Sequence, residues 1–318
     1  MHLNLPILDQ LAESKSILIA GMGGGFDVFC GLPIYFELHR LGHTVHLANY
    51  SFSEITYSKG GTRLTETMVG VDADMTGPKV YFPEHYLSRW FRESQGEEVA
   101  VWTFQKTGVR PLLENYQILV EHLGIDAILL IDGGVDSLVR GDEAATGTLI
   151  EDTVSLIAVN ELKNVPTRLL ACIALGAELD MAYGHIMENI AWLARHEAFL
   201  GTCSLVSQMA SYRRYEEAVL YTHQQPHQDP SVINASLVSA VQGHYGNYHL
   251  TPKTRNSRLW INPLMSMYWF FHLHPVARRN LIYDRLRWTD SREDLFRTYI
   301  QLQGSIATRQ SHPKNIPL

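Results

Sequence analysis

The stretch Ser16–Asp27 (SILIAGMGGGFD) decides the fold, because a short apolar run passes directly into a loop with four glycines and one acid. Two later segments repeat this arrangement, Ala127–Asp136 (AILLIDGGVD) and Arg168–Asp180 (RLLACIALGAELD). Each apolar run has the length and the composition of a buried strand. In an open parallel sheet, ligands bind outside the carboxyl ends of the strands. The three loops are therefore expected to converge on one binding or catalytic site.

Predicted strands and helices alternate from residue 16 to residue 205. Strands are predicted at 16–20, 44–48, 100–104, 127–131 and 168–175, and helices at 28–41, 111–123, 143–162 and 181–200. Residues 50–80 are polar and glycine-rich, and they are predicted to lie outside the core. The alternation predicts an α/β protein with a doubly wound, mostly parallel, Rossmann-like sheet that carries helices on both faces.

The alternation is lost near residue 222, although Glu217–Thr222 (EAVLYT) is a candidate for a further strand. We predict a Rossmann-like α/β ligand-binding domain (1–222) and a mainly helical C-terminal extension packed on it (223–318). The aromatic run Leu264–Leu273 (LMSMYWFFHL) follows a helix start, Asn262-Pro263, and is predicted to be a buried helix or a subunit contact. A homo-oligomer is therefore expected. No membrane partner is expected, because a span needs roughly 20 apolar residues.

The composition is that of a globular protein with a full core: 46% of the 318 residues are hydrophobic and 19% are charged. The formal net charge of −7 argues against a nucleic-acid partner, which would require a basic face, and it suits a site that holds a cation. The three cysteines form no CxxC pair, so neither a zinc module nor a disulfide framework is predicted. Residues 1–15 lack the features of a signal peptide, and a cytoplasmic protein is expected.

The first glycine loop has the physics of a phosphate-binding loop but matches no standard motif. Phe26 stands where GxGxxG requires glycine, and the loop lacks the lysine of a P-loop. Glycines let backbone N–H groups approach a ligand, and a following helix N-terminus favours an anion. Asp27 would repel phosphate, so it is expected to cap the helix, bind a ribose hydroxyl or hold a metal. The alternative is a tight turn without a ligand.

The second loop carries four carboxylates within twelve residues, namely Asp132, Asp136, Asp142 and Glu143. Mg²⁺ or another divalent cation takes carboxylate oxygens in such arrangements, and Asp132 and Asp136 are the candidate metal ligands. Crowded carboxylates also raise one another's pKa, which can supply a general acid or base. The candidate catalytic residues are these four and His185, in the helix after the third strand. The alternative is that the acids cap helices and that His185 is a packed residue.

A third loop, Gln242–Pro252 (QGHYGNYHLTP), is rich in histidine and aromatic residues, and it is predicted to cover a site or stack on a planar ligand. Lys253, Arg255 and Arg258 follow it and are candidates to meet a phosphate. A structured surface turn is the equally weighted alternative. The candidate cofactor-binding residues of the three loops are Gly21, Gly23, Gly24, Gly25, Asp27, Gly133, Gly134 and His244.

Three segments together resemble the uncharacterised family catalogued as domain of unknown function 1152. They are AGMGGGFDV (20–28), IDGGVDSLVRGDE (131–143) and GTLIEDTVSLIAV (147–159), and the resemblance covers roughly residues 16–250. It implies a Rossmann-like α/β protein of prokaryotic type. It transfers no activity and no catalytic residues.

Two functions from different classes remain open on the sequence. One is an enzyme that acts on a nucleotide, a nucleoside or another phosphorylated metabolite by hydrolysis or group transfer, with a divalent metal. The other is a nucleotide-binding sensor or regulatory protein without turnover. Clustered acids favour the enzyme, since a passive anion pocket has no need of them, whereas the lack of a recognised catalytic set favours the sensor. Both functions imply a small nucleotide-like ligand.

Overall fold

The computed structural model describes residues 1–76, 80–143, 149–178, 181–303 and 305–309. Nine strands form one sheet: β1 (Ser16–Gly21), β2 (Thr44–Tyr50), β3 (Thr62–Thr65), β4 (Met68–Val71), β5 (Val101–Phe104), β6 (Ala127–Asp132), β7 (Thr167–Cys172), β8 (Phe199–Ser204) and β9 (Met267–His272). The helices are α1 (Leu8–Leu11), α2 (Asp27–Cys30), α3 (Leu32–Arg40), α4 (Pro83–Trp90), α5 (Val109–Leu123), α6 (Leu149–Glu161), α7 (Tyr183–Arg195), α8 (Ala210–His223), α9 (Val232–Val241), α10 (Leu273–Arg279), α11 (Tyr283–Leu286) and α12 (Arg292–Gln303).

The strand order is β3-β4-β5-β2-β1-β6-β7-β9-β8. The five strands predicted from the sequence are β1, β2, β5, β6 and β7, and they form a continuous parallel block at the centre of the sheet. The chain winds from β1 through β2 to β5 on one side and from β6 to β7 on the other. Its direction therefore reverses beside β1, where the carboxyl ends of β1 and β6 leave a crevice for a ligand.

Helices cover both faces of the sheet, which confirms the doubly wound α/β prediction. In β1, Leu18 and Ala20 join the hydrophobic core formed with α5, α6 and α7. The alternate residues Ile17 and Ile19 join a second core, formed with α3, α4, α8 and α9. All six residues of β1 are buried, because a parallel strand covered on both faces has no solvent side. This is why the central strands appear in the sequence as unbroken apolar runs.

The expectation that residues 50–80 lie outside the core is wrong for part of the segment. Within it, β3 and β4 form a hairpin that extends the sheet, and β4 pairs with β5 in the antiparallel direction. Met68 and Val69 are fully buried. The apolar stretch of β4 is only four residues long, and the residues before and after it in the sequence are polar and glycine-rich, so the strand pattern is not apparent.

The prediction of a helix over residues 264–273 is also wrong. Only Pro263–Ser266 forms a helical turn, of the 3-10 type, and Asn262 does cap it by accepting the backbone N–H of Leu264 at 2.9 Å. The aromatic part of the run is β9, antiparallel to β7 on one side and β8 on the other. A short apolar run without periodicity fits a buried strand as well as a helix, and aromatic residues favour the strand.

The structure also corrects one predicted strand and two predicted helices. The candidate strand at 217–222 belongs to α8, and the predicted helix 181–200 ends at Arg195, before β8 begins. The predicted helix 28–41 is interrupted at Gly31, where a Cβ atom would lie 2.6 Å from Cγ2 of Ile19.

A helical C-terminal segment is present, with β9 inserted between its helices. The domain boundary at residue 222 stays a prediction. Among the helices of the described ranges, none is both long enough and apolar enough to span a membrane.

Candidate active site at the carboxyl ends of the strands

A cavity of about 590 Å³ opens at the crevice beside β1. The carboxylates of Asp27, Asp132, Asp136 and Glu178 line it, as expected for residues that follow the carboxyl ends of β1, β6 and β7. The acidic residue Asp152 lines it as well. The predicted convergence of the three glycine-acid loops is thus confirmed, and the cavity is the candidate active site.

The innermost group consists of three aspartates. Asp132, Asp136 and Asp152 each offer one carboxylate oxygen, and these three oxygens lie within 4.8 Å of one another. All three residues are buried, with at most 2% of their surface exposed. Oxygens from several carboxylates at such separations are the ligand set of a hard divalent cation. We call Asp132, Asp136 and Asp152 the aspartate triad.

Asp152 is the functional residue that the sequence analysis missed. It lies in the first turn of α6, inside the segment GTLIEDTVSLIAV that carried the family resemblance. Within the described parts of the chain, no hydrogen-bond donor reaches either of its carboxylate oxygens. A charged residue within a mostly apolar helix was the available signal, because residues 152–160 are all buried and a buried acid needs a partner.

Glycines let the acids approach the backbone closely. Asp27 accepts the backbone N–H of Gly23 at 2.6 Å, and a Cβ atom at Gly133 would lie 2.7 Å from Asp27 Oδ1. A Cβ atom at Gly23 would overlap Oδ1 of Asp152. The predicted ligand-contacting glycines Gly23 and Gly133 therefore make room first of all for carboxylates of the chain itself.

Burial raises the pKa values of three of these acids, Asp27, Asp132 and Asp152. Burial, and after it the charge of the nearby Asp136, raise the pKa of Asp27 to about 8, against the hydrogen bond from Gly23. Burial and then the charge of Asp136 also hold the pKa values of Asp132 and Asp152 well above their usual range. Asp132 accepts the backbone N–H of Ser137 at 3.1 Å, which offsets only part of this effect. Without a cation, Asp27, Asp132 and Asp152 therefore bind protons at higher pH than free aspartates do.

The stability of the cation-free protein should therefore fall as the pH rises from 6.5 to 8. Between its usual pKa of 3.8 and its folded value of about 8, Asp27 is protonated in the folded protein and ionised in the unfolded chain. The folded state binds more protons, so the slope is negative and approaches about 1.4 kcal/mol per pH unit for one group. Below 6.5, His223 opposes this trend, because burial lowers its pKa to about 4. Urea denaturation with a chelator measures the slope.

The Asp27→Asn variant should have a flatter stability profile over the same pH interval, because the shifted group is gone. A wild-type stability that is constant or increases between pH 6.5 and 8 would show that the buried carboxylates do not carry the protons assigned to them.

Three candidate catalytic residues do not reach the cavity. Asp142 and Glu143 lie in a second acidic group, where Arg309 contacts them at 2.7 Å and 2.5 Å. His185 is fully buried in α7. The candidate ligand residue His244 stacks on Tyr248, with 3.6 Å between the ring centroids, and does not line the cavity either. Roles for these four residues in the same reaction stay predictions.

The glycines of the two loops differ in their surroundings. Gly24 and Gly25 line the cavity and have φ angles of +91° and +57°, which favour glycine. Gly21 ends β1 behind the cavity, where the side chain of Asn49 fills the space that a Cβ atom would need. A Cβ atom at Gly134 would lie 2.9 Å from Oε2 of Glu178.

Aromatic residues complete the cavity: Phe26, Phe52 and Tyr81. The Phe52 ring packs so closely on Gly24 that a Cβ atom there would overlap it. Nζ of Lys106 lies 3.4 Å from the centroid of the Phe52 ring. Lys253 also lines the cavity, as the third-loop prediction allowed, and its Nζ lies 2.5 Å from Oδ2 of Asp229.

Fold and cavity define an α/β protein with a mixed, doubly wound sheet and a buried acidic site at its switch point. Residues 18–303 match the model of the family described as Protein of unknown function (DUF1152), and the chain belongs to that family. The match includes all three glycine-acid loops and Asp152. Neither a curated protein nor a solved structure matches the chain.

Proposed function

We propose that the protein is an enzyme that acts on a nucleotide, a nucleoside or another phosphorylated metabolite by hydrolysis or group transfer, with a divalent cation held by the aspartate triad. The observation that carries the proposal is Asp152, whose buried carboxylate faces two further carboxylates and no donor in the described structure. Burying a carboxylate without a partner is costly, and a cation bound between the three would offset that cost.

The remaining residues supply proton transfer and positioning. A divalent cation in the triad would polarise the group under attack or lower the pKa of a bound water. Asp27, with its pKa raised by burial to about 8, takes up and releases a proton near neutral pH and is the candidate general acid or base. Glu178 Oε2 accepts the backbone N–H of Val135 at 3.3 Å, which fixes this acid at the edge of the cavity.

A sensor without turnover is the second candidate. The observation that favours it is that Asp142, Glu143 and His185 lie away from the cavity, which leaves fewer groups for chemistry than the sequence predicted. Both candidates use the same cavity, so ligand binding does not separate them, whereas turnover does.

The test has two parts, both with the full chain. Native mass spectrometry of freshly purified protein should show a co-purified divalent metal. Incubation with Mn²⁺ and a panel of nucleosides and nucleotides should then give a product whose rate falls at least about a hundredfold in Asp27→Asn. Binding of a panel member without any product would favour the sensor. Failure to find or load a divalent metal would contradict the role of the triad.

A further inference from the structure

The charges around the cavity disfavour a phosphorylated ligand. In the described part of its lining, six acidic side chains face a single cationic one, Lys253. That ammonium already contacts Asp229 at 2.5 Å. A divalent cation held by the aspartate triad would carry two positive charges against three carboxylates. Sites of phosphoryl transfer add Lys or Arg to the metal, and the described lining offers no further cation of this kind.

The glycine loop itself is occupied by a carboxyl group of the chain. The N–H of Gly23 donates to Oδ2 of Asp27 at 2.6 Å, so this carboxylate takes the position that a phosphate oxygen has in a phosphate-binding loop. The helix that follows, α2, is only four residues long, and its first residue is Asp27. The backbone therefore offers a phosphate little attraction here.

The aromatic residues provide a surface for a planar ring. Phe52 is 44% exposed, although it lines a cavity whose aspartates are buried. Nζ of Lys106 lies 3.4 Å from the ring centroid, and Lys106 itself does not line the cavity. Tyr81 Oη and Phe52 Cδ2 lie 3.3 Å and 3.9 Å from where a Cβ atom of Gly25 would be. Two aromatic side chains thus meet at the Gly24–Gly25 segment.

We propose that the ligand of this cavity is an uncharged nucleoside, and that the site discriminates against the corresponding nucleotides. The base stacks on Phe52 beside Tyr81. The ribose hydroxyls reach Asp27 and the aspartate triad, because a carboxyl group accepts hydroxyl donors and a cation held by the triad also takes hydroxyl oxygens as ligands. A cavity of about 590 Å³ accommodates such a ligand. This inference rests on the proposed function and narrows its substrate class.

Calorimetry with the full chain and Ca²⁺ tests the inference on adenosine, guanosine, uridine and their 5′-monophosphates. At least one nucleoside should bind about tenfold or more tightly than its monophosphate, a difference of about 1.4 kcal/mol. Phe52→Leu, which removes the ring but keeps apolar volume, should weaken nucleoside binding about tenfold and leave the Ca²⁺-induced rise in melting temperature unchanged. The matched control is Tyr57→Leu, an aromatic residue that is 70% exposed and does not line the cavity. It should bind like the wild type.

The outcomes separate this inference from the proposed function. Tighter binding of the monophosphates would overturn the nucleoside inference and leave the enzyme proposal in place. Ca²⁺ binding with no binding of any nucleoside would also overturn it. Nucleoside binding that Phe52→Leu does not weaken would overturn the stacking position. Absence of any Ca²⁺ effect would contradict the metal half of the proposed function, whatever the nucleosides do.

Discussion

The Asp152→Asn variant is expected to lose the cation-induced rise in melting temperature and, without added cation, to be more stable than the wild type. Burial and the charge of Asp136 raise the pKa of Asp152 well above its usual value, so folding at neutral pH costs the uptake of a proton, and a neutral amide avoids that cost. Removal of that cost, less the lost helix-dipole interaction at the start of α6, gives a gain of about 1–2 kcal/mol.

The wild type, in contrast, should be stabilised by the cation. At a Mn²⁺ concentration roughly 100 times the dissociation constant, binding adds about 2.7 kcal/mol, or about 5 °C for a chain of this size. Differential scanning fluorimetry with and without a chelator measures the melting temperatures of the wild type and of Asp152→Asn. Asp142→Asn is the comparison, because it removes a buried aspartate outside the triad. It should keep the full cation effect. Loss of that effect in Asp142→Asn but not in Asp152→Asn would reverse our assignment of the metal ligands.

The Arg309→Ala variant is expected to be destabilised by about 3 kcal/mol, because it leaves two buried acids without their principal cation. Arg309 contacts Asp142 at 2.7 Å, Glu143 at 2.5 Å and the exposed Glu188 at 3.0 Å. Burial would raise the pKa of Glu143, but Asn189 and the backbone N–H groups of Arg140 and Gly141 lower it below its usual value. Glu143 therefore stays ionised, and its buried negative charge needs a positive charge nearby.

Chemical denaturation of Arg309→Ala measures this loss, and Thr308→Ala is the neighbouring control. Thr308 is exposed, so its replacement should change the stability by less than about 0.5 kcal/mol. A change that small in Arg309→Ala would mean that the hydrogen bonds around Glu143 suffice and that the C-terminal contact adds little.

The central part of the fold was predictable, because its cause is local. The parallel strands are covered on both faces and so appear as mostly apolar runs, and β1 and β6 pass directly into glycine-rich loops. The strand-end rule then located Asp27, Asp132, Asp136 and Glu178 in one cavity without any knowledge of side-chain positions. For these residues, the topology alone determines which side chains meet.

The rest depends on contacts that a local pattern does not contain. Asp152 belongs to a helix, so the strand-end rule says nothing about it. Glu143 was grouped with Asp132 because the two are close in sequence, yet its main partner Arg309 is 166 residues away. The run at 264–273 has the same apolar character as a helix or a strand, and only its pairing with β7 and β8 decides between them.

The position of β9 has a consequence for how the chain is made. β8 is joined to the rest of the sheet through β9, which is synthesised more than sixty residues later. On the ribosome, the nascent chain carries β7 with an open edge and β8 without a partner strand until residue 272 has emerged. Pairings this distant in sequence form slowly, and open strand edges invite association with other chains. Completion of the sheet is therefore a late event, and a fragment that stops near residue 222 lacks the strand that closes it.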